Sequence, residues 1–398
     1  MKPLASRMSR ISPSMTVAID TTATALKAEG KDVLGLGAGE PDFGTPDYAC
    51  QAAIESINNG LTRYTPPAGM PILKETVCKK LKDENGLDYN PAQIVISSGA
   101  KHCITNILTA LIEEEDEVII PAPYWVTYPE LVKLFGGTPV VVEAGVENEF
   151  KITPAQLEAT ITPKTKMFIL NSPSNPTGAV YSPEELEAFA KICVKHDIYV
   201  MSDEIYEHIL YDNTEVKSIA SFGEEIYKRT IIVNGVSKAY AMTGWRIGYI
   251  AATEDIAKAI SKAQSQATHH PANASQIAAK AAIEGGLGYT EMMNKEFIKR
   301  RDYVLSQLRS IEGVRVPTPQ GAFYVFPDFG PYVGKSFNGK KLGSSIELCA
   351  FLLEEELLAV VPGAAFGADT CIRLSYATSM ENLEGAMARL KQGLAKLT

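Results

Sequence analysis

Between residues 94 and 252, short apolar runs rich in β-branched residues alternate with stretches whose apolar positions recur at helical spacing. Seven runs predict strands: IVIS (94–97), EVII (117–120), PVVVE (139–143), KMFIL (166–170), IYVMS (198–202), TIIVN (230–234) and IGYIA (247–251). Nearly unbroken Val and Ile mark strands covered on both faces, so the pattern predicts an α/β sheet with helices on each side. SPEELEAFAKICVKH (182–196) shows the helical partner of this pattern, because Ser182, Pro183 and Glu185 make a capping-box start before the apolar period begins. After about residue 290 the character changes. A long charged helix, EMMNKEFIKRRDYVLSQLRSIEG, leads into GAFYVFPDF, ELCAFLLEEELLAVVPG and CIRLSYATS, which predict a smaller α+β unit.

Bulk properties narrow this picture without redirecting it. A chain of 398 residues exceeds the size at which one core stops growing, which favours two domains. The net charge of −9 disfavours nucleic acid or an anionic membrane as the main partner. The six cysteines are scattered, with no CxxC and no clustered histidine. Cys103, Cys193, Cys349 and Cys371 lie among apolar neighbours, the setting of buried free thiols and not of disulfides or metal ligands. The opening MKPLASRMSRISPSM lacks the apolar core of a signal peptide, and no stretch approaches a membrane span, so a cytoplasmic location is expected.

In open α/β sheets, chemistry collects at the carboxyl ends of strands. Four predicted strands here run into unusual sequences there: SGAKHC, NSPSNPTG, DEIYEH and GVSKAYAMTGWR. Ser98-Gly99-Ala100-Lys101 opens a helix, where backbone N–H groups suit a phosphate, although small residues begin many helices. Asp203 would be costly to bury without a positive partner, and otherwise reads as a helix cap. Tyr206 and Trp125 suit a core as well as a site, and Asn175 sits in what composition alone reads as a turn. Arg246 after Thr243-Gly244 suits a phosphate or a surface ion pair; Arg373, alternating with apolar residues on a strand, faces either a cleft or water. Lys238, just past an apolar strand, would ordinarily be a solvated loop residue.

Taken together, these residues resemble the fold-type I aminotransferases that use pyridoxal 5′-phosphate, in particular the aspartate aminotransferase subgroup of class I. The resemblance runs from about Ser9 to the C-terminus and rests on LGAGEPDF (36–43), RYTPPAGMPILKE (63–75), NSPSNPTGAVY (171–181), SDEIYEH (202–208), VSKAYAMTGWRIGY (236–249), GAFYV (321–325) and RLSYATS (373–379), in that order. It implies a large domain over residues 46–290 and a small domain assembled from 1–45 and 291–398. It also implies that Lys238 carries the cofactor as a Schiff base and then shuttles a proton, with Asp203 on the pyridine nitrogen and Tyr206 and Asn175 on the ring 3′-oxygen. Trp125 is implied to stack on the ring. Gly99, Ala100, Lys101, Ser237 and Arg246 are implied to hold the phosphate, joined by Tyr64 from a second subunit, which makes the protein a homodimer with shared sites. Arg373 is implied to grip the substrate α-carboxylate, helped by Asn175 and the backbone at Gly39, and the Asn175–Pro176 bond to be cis.

The substrate is less fixed. Many relatives bind the distal carboxylate of aspartate with a partner-subunit arginine, but QSQATHHPANAS (264–275) has none, and Lys101 takes that role in the subgroup resembled here. Relatives that accept prephenate carry a lysine in the N-terminal arm where this chain has Ser12. Transfer of an amino group from L-aspartate to 2-oxoglutarate by a ping-pong route is therefore expected. The alternatives are an aminotransferase with aromatic, alanine or other donor preference and, behind it, a lyase on the same fold. A transcription regulator built on this domain is disfavoured, since the arm before LGAGEPDF is too short for a DNA-binding module.

Overall fold

The computed structural model describes residues 3–13 and 15–398. Seven strands form one sheet: β1 (Ile94–Ser97), β2 (Glu117–Ala122), β3 (Thr138–Glu143), β4 (Thr165–Asn171), β5 (Tyr199–Asp203), β6 (Thr230–Gly235) and β7 (Gly248–Ala251). Their order across the sheet is β1-β7-β6-β5-β4-β2-β3. All pairings are parallel except those of β7, which runs against both β1 and β6. The seven apolar runs thus each become a strand of this sheet. β1, β6 and β7 are buried along their whole length, as strands covered on both faces must be.

Helices supply the covering. On one face α1 (Ala100–Leu111) and α2 (Glu254–Ala267) pack Cys103, Ile104, Ile107 and Ile260 against Val95, Ile120, Met201 and Ile231. On the other, the helix Pro183–Lys195 sets Leu186, Phe189 and Cys193 against Ile119, Phe168 and Val200. Its start is the predicted capping box, with Ser182 and Glu185 each bonding the other's backbone. Each fully buried Leu, Ile or Phe contributes roughly 1.5–3 kcal/mol, so the layers are held by many modest terms. All six cysteines are free, and the four placed among apolar neighbours are buried.

The C-terminal unit is built around the long helix α3 (Gly288–Arg309). Its three-stranded antiparallel sheet joins Val361–Pro362, Ile372–Ser375 and Tyr324–Val325, and the helices Ser345–Glu356 and Met380–Ala395 flank it. Residues from the start of the chain enter the same core. Leu34–Gly35 pairs in parallel with Leu358–Ala359, and the Ser375 N–H donates to the Leu36 carbonyl at 2.8 Å. Leu36 lies in one apolar cluster with Leu358, Ile372 and Phe297. This fastening fixes the start of LGAGEPDF against the strand that carries Arg373.

One expectation is corrected. The cis peptide bonds are Ala122–Pro123 and Ser172–Pro173, while Asn175–Pro176 is trans. Bonds before proline differ little in intrinsic preference, so local packing decides, and NSPSNP offers two such bonds. Here Asn175 is held by its own N–H, which donates to Asn171 Oδ1 at 2.9 Å, and by Ser174 N–H, which donates to the Ala179 carbonyl.

Candidate active site

The carboxyl ends of β1, β4, β5 and β6 open onto a cavity of ≈ 630 Å³. Its walls include Gly39, Ala100, Lys101, Trp125, Asn175, Asp203, Tyr206, Ser237, Lys238, Arg246 and Arg373. Eleven of the residues singled out from the sequence therefore share one chamber. Gly99 borders it as the residue capping α1, and Tyr64 lies outside it, 86% exposed and stacked on His269 at 5.3 Å.

Asp203 ends β5 almost wholly buried, and no cation among the described residues bonds to its carboxylate. Tyr128 Oη donates to Oδ2 at 2.7 Å, and the Ile205 N–H donates to Oδ1 at 3.3 Å. Burial pushes the carboxyl up to about 6, against the pull of the Tyr128 and Ile205 bonds and the Lys238 charge. The residues after Asp203 form a turn instead of continuing into a helix. That turn aims Tyr206 Oη at Tyr324 Oη, 2.9 Å away.

Lys238 follows β6 on a loop that returns along β7. Its Nζ donates to the Gly39 carbonyl and lies 5.8 Å from the ring centres of both Tyr206 and Phe323. Burial lowers its proton affinity to about 8; Glu40 and Asp203 oppose that shift, and Arg373 and Arg246 add to it. An amine so placed is partly neutral near pH 7, as a nucleophile or proton carrier needs.

Where α1 begins, the site is electropositive. Gly99 has φ +89, which only glycine adopts freely, and a Cβ there would stand 2.2 Å from Arg246 Nη2. Gly248, on β7, meets the same helix start, since a Cβ on it would lie 2.4 Å from the Ala100 nitrogen. Two missing side chains thus let free backbone N–H groups and a guanidinium converge. Arg246 Nη1 is fixed by the Thr243 carbonyl at 2.7 Å. This suits a phosphate. Lys101 Nζ sits 5.0 Å over the Trp125 ring, its proton affinity lowered by burial and by Arg246.

Arg373 is buried, with Nη1 donating to Asn175 Oδ1 at 3.0 Å and Nη2 to the Gly37 carbonyl at 2.7 Å. Its plane lies 4.6 Å from the Tyr324 ring centre, and its buried Nε has no partner among the described residues. The Gly39 carbonyl accepts from Lys238 Nζ. A guanidinium fixed on both sides and lining the cavity suits a carboxylate.

Sequence reasoning passed over four residues in this chamber. Tyr128 and Tyr324 bond to Asp203 and Tyr206. Asn171 donates to the Asp203 carbonyl at 3.0 Å while accepting from Asn175, and Glu40 accepts from Thr243 Oγ1 at 2.7 Å. Asn171, Tyr324 and Glu40 stand inside stretches already quoted, NSPSNPTG, GAFYV and LGAGEPDF, and Tyr128 lies three residues after Trp125, so position beside the named residues was the available signal. From the N-terminal helix Met15–Ala28, Thr24 and Lys27 also reach the cavity wall.

A sheet of this order, with a second unit beside its carboxyl edge and an amine, a carboxylate and a guanidinium gathered there, is the architecture of the fold-type I transferases. Known proteins narrow the class. The chain belongs to the class I and II aminotransferase family, whose model matches residues 31–390, and it is an aminotransferase. It is 47% identical over 397 residues to the aspartate/prephenate aminotransferase of Cereibacter sphaeroides, covering 99% of each chain. It is 48% identical to the aspartate aminotransferase of Geobacillus stearothermophilus, over 97% of this chain and 98% of that one. Among solved structures, the aspartate aminotransferase of Rhizobium meliloti superposes with a TM-score of 0.97 at 41% identity over all of both chains. The Thermus thermophilus aspartate aminotransferase with maleate gives 0.93 at 41% identity, over 99% of this chain and 100% of that one.

Proposed function

We propose that the protein is a pyridoxal phosphate-dependent aspartate aminotransferase that passes the amino group of L-aspartate to 2-oxoglutarate in two successive half-reactions. The observation that carries this reading is the convergence of Lys238, with its lowered proton affinity, and Asp203, a buried carboxylate with no cation bonded to it among the described residues, in one chamber. The donor set fits the cofactor. Asp203 matches a protonated ring nitrogen, and Lys238 matches an aldehyde. Gly99, Ala100, Ser237 and Arg246 match a phosphate, and Trp125 offers a flat face. Bound there, pyridoxal phosphate supplies a ring that withdraws electrons from the amino-acid Cα.

The remaining work falls to the chain. Arg373 binds the substrate α-carboxylate through the guanidinium that Asn175 and Gly37 already orient. Lys238 Nζ takes the Cα proton and later returns a proton on the same face. Asp203 stays ionised against the ring nitrogen, with Tyr128 holding its charge in place. Tyr206 and Asn175 donate to the ring oxygen. Lys101 receives the distal carboxylate, and the maleate in the Thermus relative, itself a dicarboxylate, supports a pocket of that charge. Tyr64, exposed and remote from its own cavity, completes the phosphate site of a second copy in a homodimer.

We further infer that the unit formed by residues 1–45 and 291–398 closes over the edge of residues 46–290 when substrate binds, since Arg373 sits on one side and Lys238 on the other. Prephenate is a poorer acceptor in this reading, because Ser12 stands where a lysine is needed. The test is the half-reaction of cofactor-loaded protein, followed by cofactor absorbance, with L-aspartate, glutamate, alanine, phenylalanine and kynurenine in turn. Fast conversion by aspartate and glutamate, reversed by 2-oxoglutarate and slowly by prephenate, is expected. Conversion by another donor alone would overturn the substrate, and conversion by none would overturn the function.

A further inference from the structure

Behind the catalytic turn lies a buried polar cluster that the proposed chemistry does not use. Glu207, next to Tyr206, points away from the cavity. Its carboxylate pairs with Lys80 and accepts from Asn85 Nδ2 at 2.8 Å and Asn234 Nδ2 at 2.5 Å. Lys80 and Glu207 are both buried. Lys80 Nζ also donates to Asn85 Oδ1 at 2.8 Å, and His208 Nε2 stands 3.1 Å from Glu84 and 3.4 Å from Glu207. Burial alone would raise Glu207, but Lys80, His208 and the Asn85 bond overcome it and hold the carboxyl down to about 2.

The placement of this cluster matters more than its charge. β5 and β6 are paired in register as far as Asp203 and Val233, and the Glu204 N–H still donates to the Val233 carbonyl at 2.9 Å. Past that point the two chains part. One becomes the turn bearing Tyr206, the other the loop bearing Ser237 and Lys238. Glu207 and Asn234 join them again below the cavity floor. Asn234 uses both ends of its amide, because its Oδ1 accepts from the Gly235 N–H at 2.7 Å while its Nδ2 reaches Glu207. Lys80 and Asn85 anchor the junction to the helix Pro71–Asn85.

We propose that Glu207 is a positioning residue: bonded by Lys80, Asn85 and Asn234, it sets the spacing between the Asp203–Tyr206 turn and the Lys238 loop. A buried ion pair adds little net stability over an apolar replacement, yet removing one partner leaves a costly bare charge. Fixed spacing between two catalytic loops is what such a pair supplies here. The inference rests on the roles proposed for Lys238 and Asp203.

Three variants of the holoenzyme separate placement from stability. Glu207→Gln leaves the Lys80 charge with Glu84, 3.6 Å away, in place of its close partner, and lowers both melting temperature and turnover. Lys80→Met with Glu207→Gln removes that charge, so the melting temperature recovers, while one amide oxygen cannot serve both Asn85 and Asn234. Asn234→Ala cuts the link to the lysine loop and leaves the ion pair intact. In the last two variants kcat for the aspartate half-reaction should fall about 10- to 100-fold with KM little changed, as displacing reacting groups by roughly 1 Å does. The pH midpoint of the bound cofactor's absorbance should shift as well. Wild-type kcat and midpoint in both variants would overturn the inference while leaving the proposed function standing. A wild-type enzyme without the half-reaction would instead remove the function on which it rests.

Discussion

Tyr128 offers the sharpest test of how the buried carboxylate is controlled. Tyr128→Phe keeps the ring in the core and removes the one side-chain donor to Asp203 among the described residues, a 2.7 Å bond to Oδ2. A hydrogen bond to a charged acceptor contributes about 1.5–3 kcal/mol, and 1.36 kcal/mol is one pKa unit. The substitution should therefore raise the Asp203 carboxyl by about one to two units, from about 6 toward roughly 7–8 in the cofactor-free protein. The sign of the linkage follows. Asp203 titrates above the ordinary carboxylate range, so the native state keeps a proton that the unfolded chain has shed. Stability of the cofactor-free protein falls as pH rises from about 4 to about 6, and in the variant this falling window extends about one to two units higher. Melting temperature against pH reads that window directly. For the loaded enzyme, the same energy translates to an aspartate half-reaction roughly 10- to 150-fold slower at pH 7. A variant within about twofold of wild type in rate, with an unmoved stability window, would refute the reasoning.

Other expectations follow from the same chamber. In cofactor-free protein, acylation of Lys238 by an amine reagent should be half-maximal near pH 8; a midpoint near that of a free lysine would show that burial does not tune it. Lys101→Ala should weaken aspartate and glutamate turnover by about 10-fold or more while sparing alanine, and equal losses for all three would remove Lys101 from the distal pocket. Mixing Tyr64→Ala and Lys238→Ala chains should give hybrid dimers with one site free of both changes, so activity absent from each parent would return. No recovery would argue against a Tyr64 that serves the partner's site.

Legibility from sequence varied with how local the cause was. Strand composition is local, and KMFIL became Thr165–Asn171 with one residue added at each end. The two-residue pairing of Leu34–Gly35 with Leu358–Ala359 left no such trace, because nothing near either segment announces a partner across the chain. Site residues followed the same rule. Lys238, Asp203 and Arg373 stood out because an ionisable group beside an apolar strand is conspicuous. Tyr128 did not, since its hydroxyl matters only through a carboxylate 75 positions away. The backbone acceptors, Gly37 for Arg373 and Gly39 for Lys238, turned on geometry that residue types do not encode.

The reversed direction of β7 has a consequence for how the site tolerates change. Because that strand runs back between β1 and β6, the segment leaving Gly235 with Lys238 returns at Gly248 with Arg246 on the same rim, and Ser97, Gly235 and Gly248 line up across three adjacent strands. The loop is pinned at both ends and cannot lengthen or slip without moving amine and guanidinium together. A parallel strand there would have carried Arg246 to the far rim. Tolerance for insertions should accordingly be lowest in this loop and highest at the opposite rim, where connections supply none of the cavity's lining residues. A scan of single-residue insertions around the sheet would trace the chemistry as an outline of intolerance along one edge.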